Sequence, residues 1–174
     1  MTVAEELKAF VRDVPDFPKP GIMFKDITPL LKSPVALEKT IRSLAAPYRD
    51  AKITTVAGIE SRGFIFGACV AQALGAGFVP IRKPGKLPWT RRRNEYVLEY
   101  GTDALEIHDD ALVSTDRVLV VDDVLATGGT AAAATALVRG FDATLVGIAI
   151  VIELTFLEPR RKLGGVEVHS LIRY

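Results

Sequence analysis

With 174 residues, 49% of them hydrophobic and 25% charged, the chain is sized for a single domain with a substantial core. Its formal net charge of +1 gives no global basic field, so nucleic acid is not an expected partner, and an anionic ligand must be drawn in by local clusters of charge. One cysteine, Cys69, excludes an intrachain disulfide and a cysteine metal cluster.

In chain order, residues 2–13 have the spacing of an amphipathic helix, with Val3, Leu7, Phe10 and Val11 on one side. Glu5 and Glu6 stand early with no long apolar run after them, so no secretory signal is read and a cytoplasmic setting is expected. A turn-rich connector, Pro15 to Gly21, leads to an extended piece Ile22–Ile27 that stops at Thr28-Pro29. Ser33 as N-cap and Pro34 at the first position predict a helix to about Tyr48. From Ile53 the pattern alternates: strand 53–58, helix 63–74, strand 78–81, strand 117–122, helix 130–139, strand 144–152, helix 156–163 and strand 166–172. Such alternation predicts an α/β fold, a mainly parallel twisted sheet flanked by helices. The apolar stretch Gly63–Ile81 approaches the length of a membrane span. Its glycines and Pro80 split it into helix, break and strand, so no membrane association is expected. Between Lys83 and Asp116, two polar-alternating runs at 95–99 and 104–108 predict an antiparallel hairpin behind a long loop, where a lid could form.

Three strand ends carry chemistry. Val118 to Val121 is a buried-strand pattern ending in Asp122 and Asp123, followed by Ala126-Thr127-Gly128-Gly129-Thr130 and a helical run. In an open α/β sheet, ligands sit in the crevice beyond the strand C-termini. Glycines that let backbone N–H groups converge, threonine hydroxyls and a helix N-terminus suit a phosphate monoester. The two acids repel that phosphate and suit sugar hydroxyls instead, or a cation or water nearby. A ligand anionic at one end and hydroxylated at the other is a ribose 5-phosphate. Strand 53–58 ends in Ile59-Glu60-Ser61-Arg62-Gly63, a second helix start suited to a second anionic group such as diphosphate. Strand 78–81 ends in Arg82-Lys83-Pro84-Gly85-Lys86, cations able to stabilise charge on a departing group. Singly, each has a plain alternative: a common Gly-Gly turn, a helix capped by Ser61, a solvated basic turn. Their convergence on one sheet edge favours a site.

The stretch Val118–Thr130 closely resembles the phosphoribosyl diphosphate (PRPP) binding motif of type I phosphoribosyltransferases, in the wording of the adenine enzymes. Gly58-Ile59-Glu60-Ser61-Arg62-Gly63-Phe64 stands at that family's diphosphate loop, and Arg82 to Pro88 looks like a further family run. Tyr96-Val97-Leu98-Glu99-Tyr100-Gly101 is similar to the flexible loop over the active site, and Phe17–Pro29 to the base-binding hood. The resemblance extends from Phe17 through Leu171 and implies the type I phosphoribosyltransferase fold. Residues 1–174 then form one domain, with an N-terminal helix and hood at 1–33 and a lid hairpin at 83–109.

By the same resemblance, the expected reaction is Mg²⁺-dependent transfer of the 5-phosphoribosyl group from PRPP to N9 of adenine, giving AMP and diphosphate. It places the 5-phosphate on Ala126, Thr127, Gly128, Gly129 and Thr130, with Asp122 and Asp123 holding the ribose hydroxyls. Diphosphate falls to Glu60, Ser61, Arg62, Lys83 and Lys86. Adenine falls to the main chain of Met23 and Lys25 and the ring of Phe24. Glu99 is implied to manage the purine proton, with Tyr100 against the reacting groups. Mg²⁺ is implied to ride on PRPP and diphosphate without a direct protein ligand, and family members are typically homodimers. Arg91-Arg92-Arg93 departs from the usual family pattern, which has a small polar residue near Arg93, and receives no catalytic role. His108, His169 and Glu153 read as structural. A transferase for another base (xanthine, hypoxanthine/guanine or orotate) and a PRPP-sensing regulator remain as alternatives.

Overall fold

The computed structural model describes residues 2–98 and 101–174. In chain order its elements are α1 (Val3–Lys8), β1 (Arg12–Val14), β2 (Phe24–Asp26), α2 (Thr28–Lys32), α3 (Pro34–Ala45), β3 (Thr55–Ile59), α4 (Gly63–Leu74), β4 (Gly77–Ile81), β5 (Arg91–Leu98), β6 (Gly101–His108), β7 (Arg117–Leu125), α5 (Gly129–Arg139), β8 (Thr144–Glu153) and β9 (Val168–Arg173). Five parallel strands form the central sheet in the order β4-β3-β7-β8-β9.

The apolar runs of the strands are explained by burial on both faces. Val118 and Val120 of β7 join the core that holds Ala134, Leu137 and Val138 of α5. Leu119 and Val121, the alternate residues, join the opposite core with Leu44 of α3 and Phe66 and Val70 of α4. The chain winds outward from β3 to β4 and then returns to place β7 on the other side of β3, so the strand order reverses between β3 and β7. At such a reversal the connections leave in opposite directions and open a crevice. Here β3 pairs with β7 only as far as Gly58↔Val121. Asp122 and Asp123 are the next two residues.

Several expected boundaries shift. The N-terminal helix stops at Lys8, because Arg12–Val14 pairs antiparallel with Phe24–Asp26. Its start is a capping box: Thr2 Oγ1 accepts from the Glu5 N–H at 3.2 Å and Glu5 Oε2 from the Thr2 N–H at 2.7 Å. Thr28-Pro29, expected to end an extended piece, instead begins α2, where Asp26 accepts from the Thr28 N–H at 2.9 Å and hydroxyl at 2.8 Å. The strand expected to end at Asp122 continues to Leu125, supported by β8 through Val124↔Ile152 and Leu125↔Glu153. The helix expected at 156–163 is two 3₁₀ turns, Thr155–Leu157 and Pro159–Lys162, separated by Glu158 at φ 49° and interrupted by Pro159. The hairpin is longer than expected and takes in Arg91–Arg93.

Candidate active site

A cavity of about 530 Å³ opens beyond the C-terminal ends of β3 and β7. It brings together the hood residues Met23, Phe24 and Lys25, the loop Glu60-Ser61-Arg62, Lys83, the pair Asp122-Asp123, and Ala126 and Thr130. These segments lie far apart in sequence, and the strand reversal delivers them to one place. Of the other expected site residues, Thr127 is exposed, and Gly128 and Gly129 are buried within the same loop without lining the cavity. Lys86 does not line it either; its carbonyl accepts from Arg82 Nη1 at 3.3 Å. Glu99 and Tyr100 lie outside the described residues.

The acids sit on β7 at the point where its partner β3 turns away. Asp123 is buried, and its carboxylate accepts from Arg62 Nε. Arg62 also lies over the Phe24 ring at 5.2 Å, and Phe24 meets Phe17 edge to face at 5.1 Å. Asp122 Oδ1 accepts from the Asp123 N–H at 2.9 Å. Burial first, and the neighbouring Asp123 carboxylate second, push the Asp122 carboxyl well above the usual carboxylate range. Gly63 is required beside it: a Cβ there would stand 2.6 Å from Asp122 Oδ1 and 3.1 Å from the Val121 carbonyl. Only glycine lets the start of α4 come this close to the acids.

The loop before α5 is held from below. Gly128 has φ +84°, and a Cβ on it would collide with the carbonyl oxygen of Pro159. Because α5 begins at Gly129, the first N–H groups of the helix have no intrahelical acceptor and face the loop. That is the arrangement a phosphate needs.

The expected diphosphate residues divide into two kinds. Ser61 and Arg62 line the cavity directly. Glu60 acts differently, because its Oε2 accepts from Arg82 Nε at 3.1 Å and from the Lys83 N–H at 2.9 Å. A carboxylate so engaged positions the cationic loop, and Glu60 also lines the cavity beside Ser61 and Arg62. Lys83 Nζ reaches the Asp103 carboxylate and the Tyr96 hydroxyl, the latter at 2.9 Å. Burial opposes its charge, but these hydrogen bonds outweigh it and hold the Lys83 pKa above the usual lysine value. In the hood, the Lys25 ammonium is engaged by Asp13 at 2.6 Å and lies 3.8 Å from the Tyr174 ring centroid. Its main chain is what remains for a base.

Arg91–Arg93, expected in the long loop before the hairpin, are strand residues with local partners. Arg91 Nε meets the buried Glu106 at 3.0 Å, Arg92 reaches the Gly140 carbonyl and stacks 3.8 Å over Phe141, and Arg93 meets Glu95 at 2.9 Å. Glu153 is buried and takes a bidentate contact from Arg160 at 2.6 and 2.8 Å, and His169 Nε2 stands 3.0 Å from the Ser43 carbonyl. Sequence reasoning missed Ile22, Val124, Leu154 and Leu157, which form the cavity's apolar wall. In sequence they are indistinguishable from core residues. It also missed Tyr96 and Asp103, which reach Lys83 only through the hairpin register Tyr96↔Asp103.

The model of the phosphoribosyl transferase domain matches residues 30–164. An adenine phosphoribosyltransferase of Acaryochloris marina is 57% identical over 169 residues, covering 97% of this chain and 99% of that protein. The chain belongs to the adenine phosphoribosyltransferase family. A crystal structure of the Rhodothermus marinus adenine phosphoribosyltransferase matches with a TM-score of 0.95 at 51% identity, over 99% of this chain and 98% of that one. The Saccharomyces cerevisiae enzyme, crystallised with an imino-altritol bisphosphate and adenine, matches with a TM-score of 0.93 at 43% identity, over 97% and 98% of the two chains. The expected fold, a type I phosphoribosyltransferase sheet with hood and hairpin, is the one observed.

Proposed function

We propose that this enzyme is a pentosyltransferase that moves the 5-phosphoribosyl group of PRPP to N9 of adenine, releasing AMP and diphosphate and returning the free base to the nucleotide pool (purine salvage). One observation carries the reading. A single cavity is lined at once by an aromatic hood, a cationic loop, two acids and the N-terminal loop of α5. Those four surfaces match the base, diphosphate, ribose and 5-phosphate of the reactants in that order.

The 5-phosphate binds at Ala126–Thr130, where the N–H groups at the start of α5 and the threonine hydroxyls meet its oxygens. Diphosphate lies against Ser61, Arg62 and Lys83. With both ends anchored, C1 of the ribose is the part left free to move. The C1–O bond breaks and its electron pair departs with diphosphate. Asp122 and Asp123 face the cationic sugar, and N9 closes on C1 from the hood side. Adenine stacks on Phe24 and is read by main-chain groups of Met23 and Lys25. By the resemblance, Glu99 accepts the N9 proton, with Tyr100 against the reacting groups, so that the base attacks as a nucleophile.

Mg²⁺ enters as part of the substrate. Among the described residues no group of three or more His, Cys, Asp or Glu side chains is placed to hold a metal ion, and Asp123 is already paired with Arg62. As the resemblance implies, Mg²⁺ would be carried by the oxygens of PRPP and diphosphate and would neutralise charge on the departing group. Among the same residues no helix is long and apolar enough to cross a membrane. A cytoplasmic setting accords with phosphorylated substrates that do not cross membranes, and we assign the working form as a homodimer, as the resemblance implies.

The deciding experiment measures nucleotide formation from Mg-PRPP with adenine, hypoxanthine, guanine, xanthine and orotate in parallel. AMP formation exceeding every other product at least a hundredfold is expected. Preferred turnover of another base would reassign the substrate, and PRPP binding with no turnover of any base would make the chain a sensor.

A further inference from the structure

The hairpin places an acid on the cation that the diphosphate site needs. Asp103, on β6, stands opposite Tyr96 on β5, and both side chains reach Lys83 at the edge of the cavity. The hydrogen bonds link the three side chains to one another. Asp103 Oδ2 accepts from Lys83 Nζ and from the Tyr96 hydroxyl, the latter at 3.1 Å, while Oδ1 accepts from the Ala104 N–H at 2.8 Å. The Tyr96 oxygen accepts from Lys83 at 2.9 Å and from the Thr130 hydroxyl at 3.3 Å. One small network therefore ties the hairpin to the diphosphate cation and to the 5-phosphate loop.

We infer that Asp103 is an affinity-setting counter-ion of Lys83, a carboxylate that competes with diphosphate for one ammonium. The inference rests on the reading of Lys83 as a diphosphate ligand. An ammonium has three donors, and two are already directed to Asp103 and Tyr96. Diphosphate takes the third, or displaces Asp103, and either way two like charges meet on one cation. The pair is only partly buried, with Lys83 36% and Asp103 30% exposed, so the exchange needs no rearrangement of the core. Asp103 neutralises Lys83 while the site is free and reclaims it as diphosphate leaves. It lowers the affinity for the leaving product, and Tyr96 keeps Lys83 aimed while the partners exchange. Asp103 acts through Lys83 and is not among the residues that line the cavity; it is a positioning residue.

The test is titration of inorganic diphosphate and of Mg-PRPP into wild type, Asp103→Asn, Asp103→Glu and Lys83→Ala, at low and at high salt. Asp103→Asn keeps an acceptor for Lys83 and removes the competing charge, at the cost of the Oδ1 acceptor of the Ala104 N–H. It should bind diphosphate about threefold to tenfold more tightly at low salt, and the gain should shrink as salt screens it. Steady-state turnover should fall through slower product release, while the single-turnover rate stays near that of wild type. Asp103→Glu should restore the wild-type affinity. Asp103→Ser makes the same comparison if Asp103→Asn does not fold. Unchanged or weaker diphosphate binding in a folded, charge-free variant would overturn the inference. Lys83→Ala separates the two levels: if it binds diphosphate as well as wild type does, the assignment of Lys83 itself is wrong.

Discussion

Arg62 and Asp123 hold each other across the mouth of the site, one from the start of α4 and the other from the end of β7. The pair joins the two strands where their own pairing has ended, and Arg62 extends it to the ring of Phe24. Arg62→Ala would leave the buried Asp123 carboxylate without its partner beside an already crowded Asp122. We expect a loss of about 1–3 kcal/mol in unfolding free energy, with KM raised for both adenine and PRPP. Denaturant unfolding and steady-state kinetics check the two halves separately.

Asp122→Asn should separate stability from activity. The Asp122 carboxyl titrates above its unfolded value because burial and Asp123 disfavour its charge. Between those two values the folded state binds more protons than the unfolded one. The group therefore costs stability as pH rises through that window and costs nothing below it. Asn retains the acceptor for the Asp123 N–H and removes the charge. The variant should be more stable than wild type near pH 7 and match it near pH 3. Its turnover should fall by about 10²-fold or more, since a carboxylate facing the cationic sugar is gone. Equal stability of the two proteins at both pH values would refute a charge-based cost at Asp122.

Gly128→Ala tests the foundation of the phosphate loop. The positive φ and the Pro159 carbonyl beneath it both forbid a side chain. The damage comes from displaced backbone, and a direct clash with phosphate is not required. PRPP affinity should fall at least tenfold while adenine affinity changes little, measured by separate titrations. An equal loss for both ligands would point to a wider fold defect.

Glu99→Gln addresses the assignment made from resemblance alone. If Glu99 accepts the N9 proton, the amide keeps the shape and loses the basicity. The single-turnover rate should slow by roughly 10²–10⁴-fold with little change in KM for PRPP, whose phosphates bind other loops. Single-turnover conditions are needed because product release can hide the chemical step. An unchanged rate would hand the proton to water or backbone.

Local pattern alone determined the sheet strands, the helices α3, α4 and α5 and the three loops that end in glycine, acid or cation. Each of those signals lies within a short window: β-branched runs, Ser33-Pro34 as a helix start, Ala126–Thr130 as an anion loop. The tertiary structure decided what those loops face. Arg12–Val14 left its helix because a strand ten residues later offered it partners, and β7 ran on past its acids because β8 continued beside it. Arg91–Arg93 became strand residues with acidic neighbours, Glu60 took up Arg82 and the Lys83 backbone, and Asp103 found Lys83 through a hairpin register. The physical reason is common to all of these. A residue's type sets which interactions it can make, but its partner is chosen by the chain's return path, and no local window contains that path.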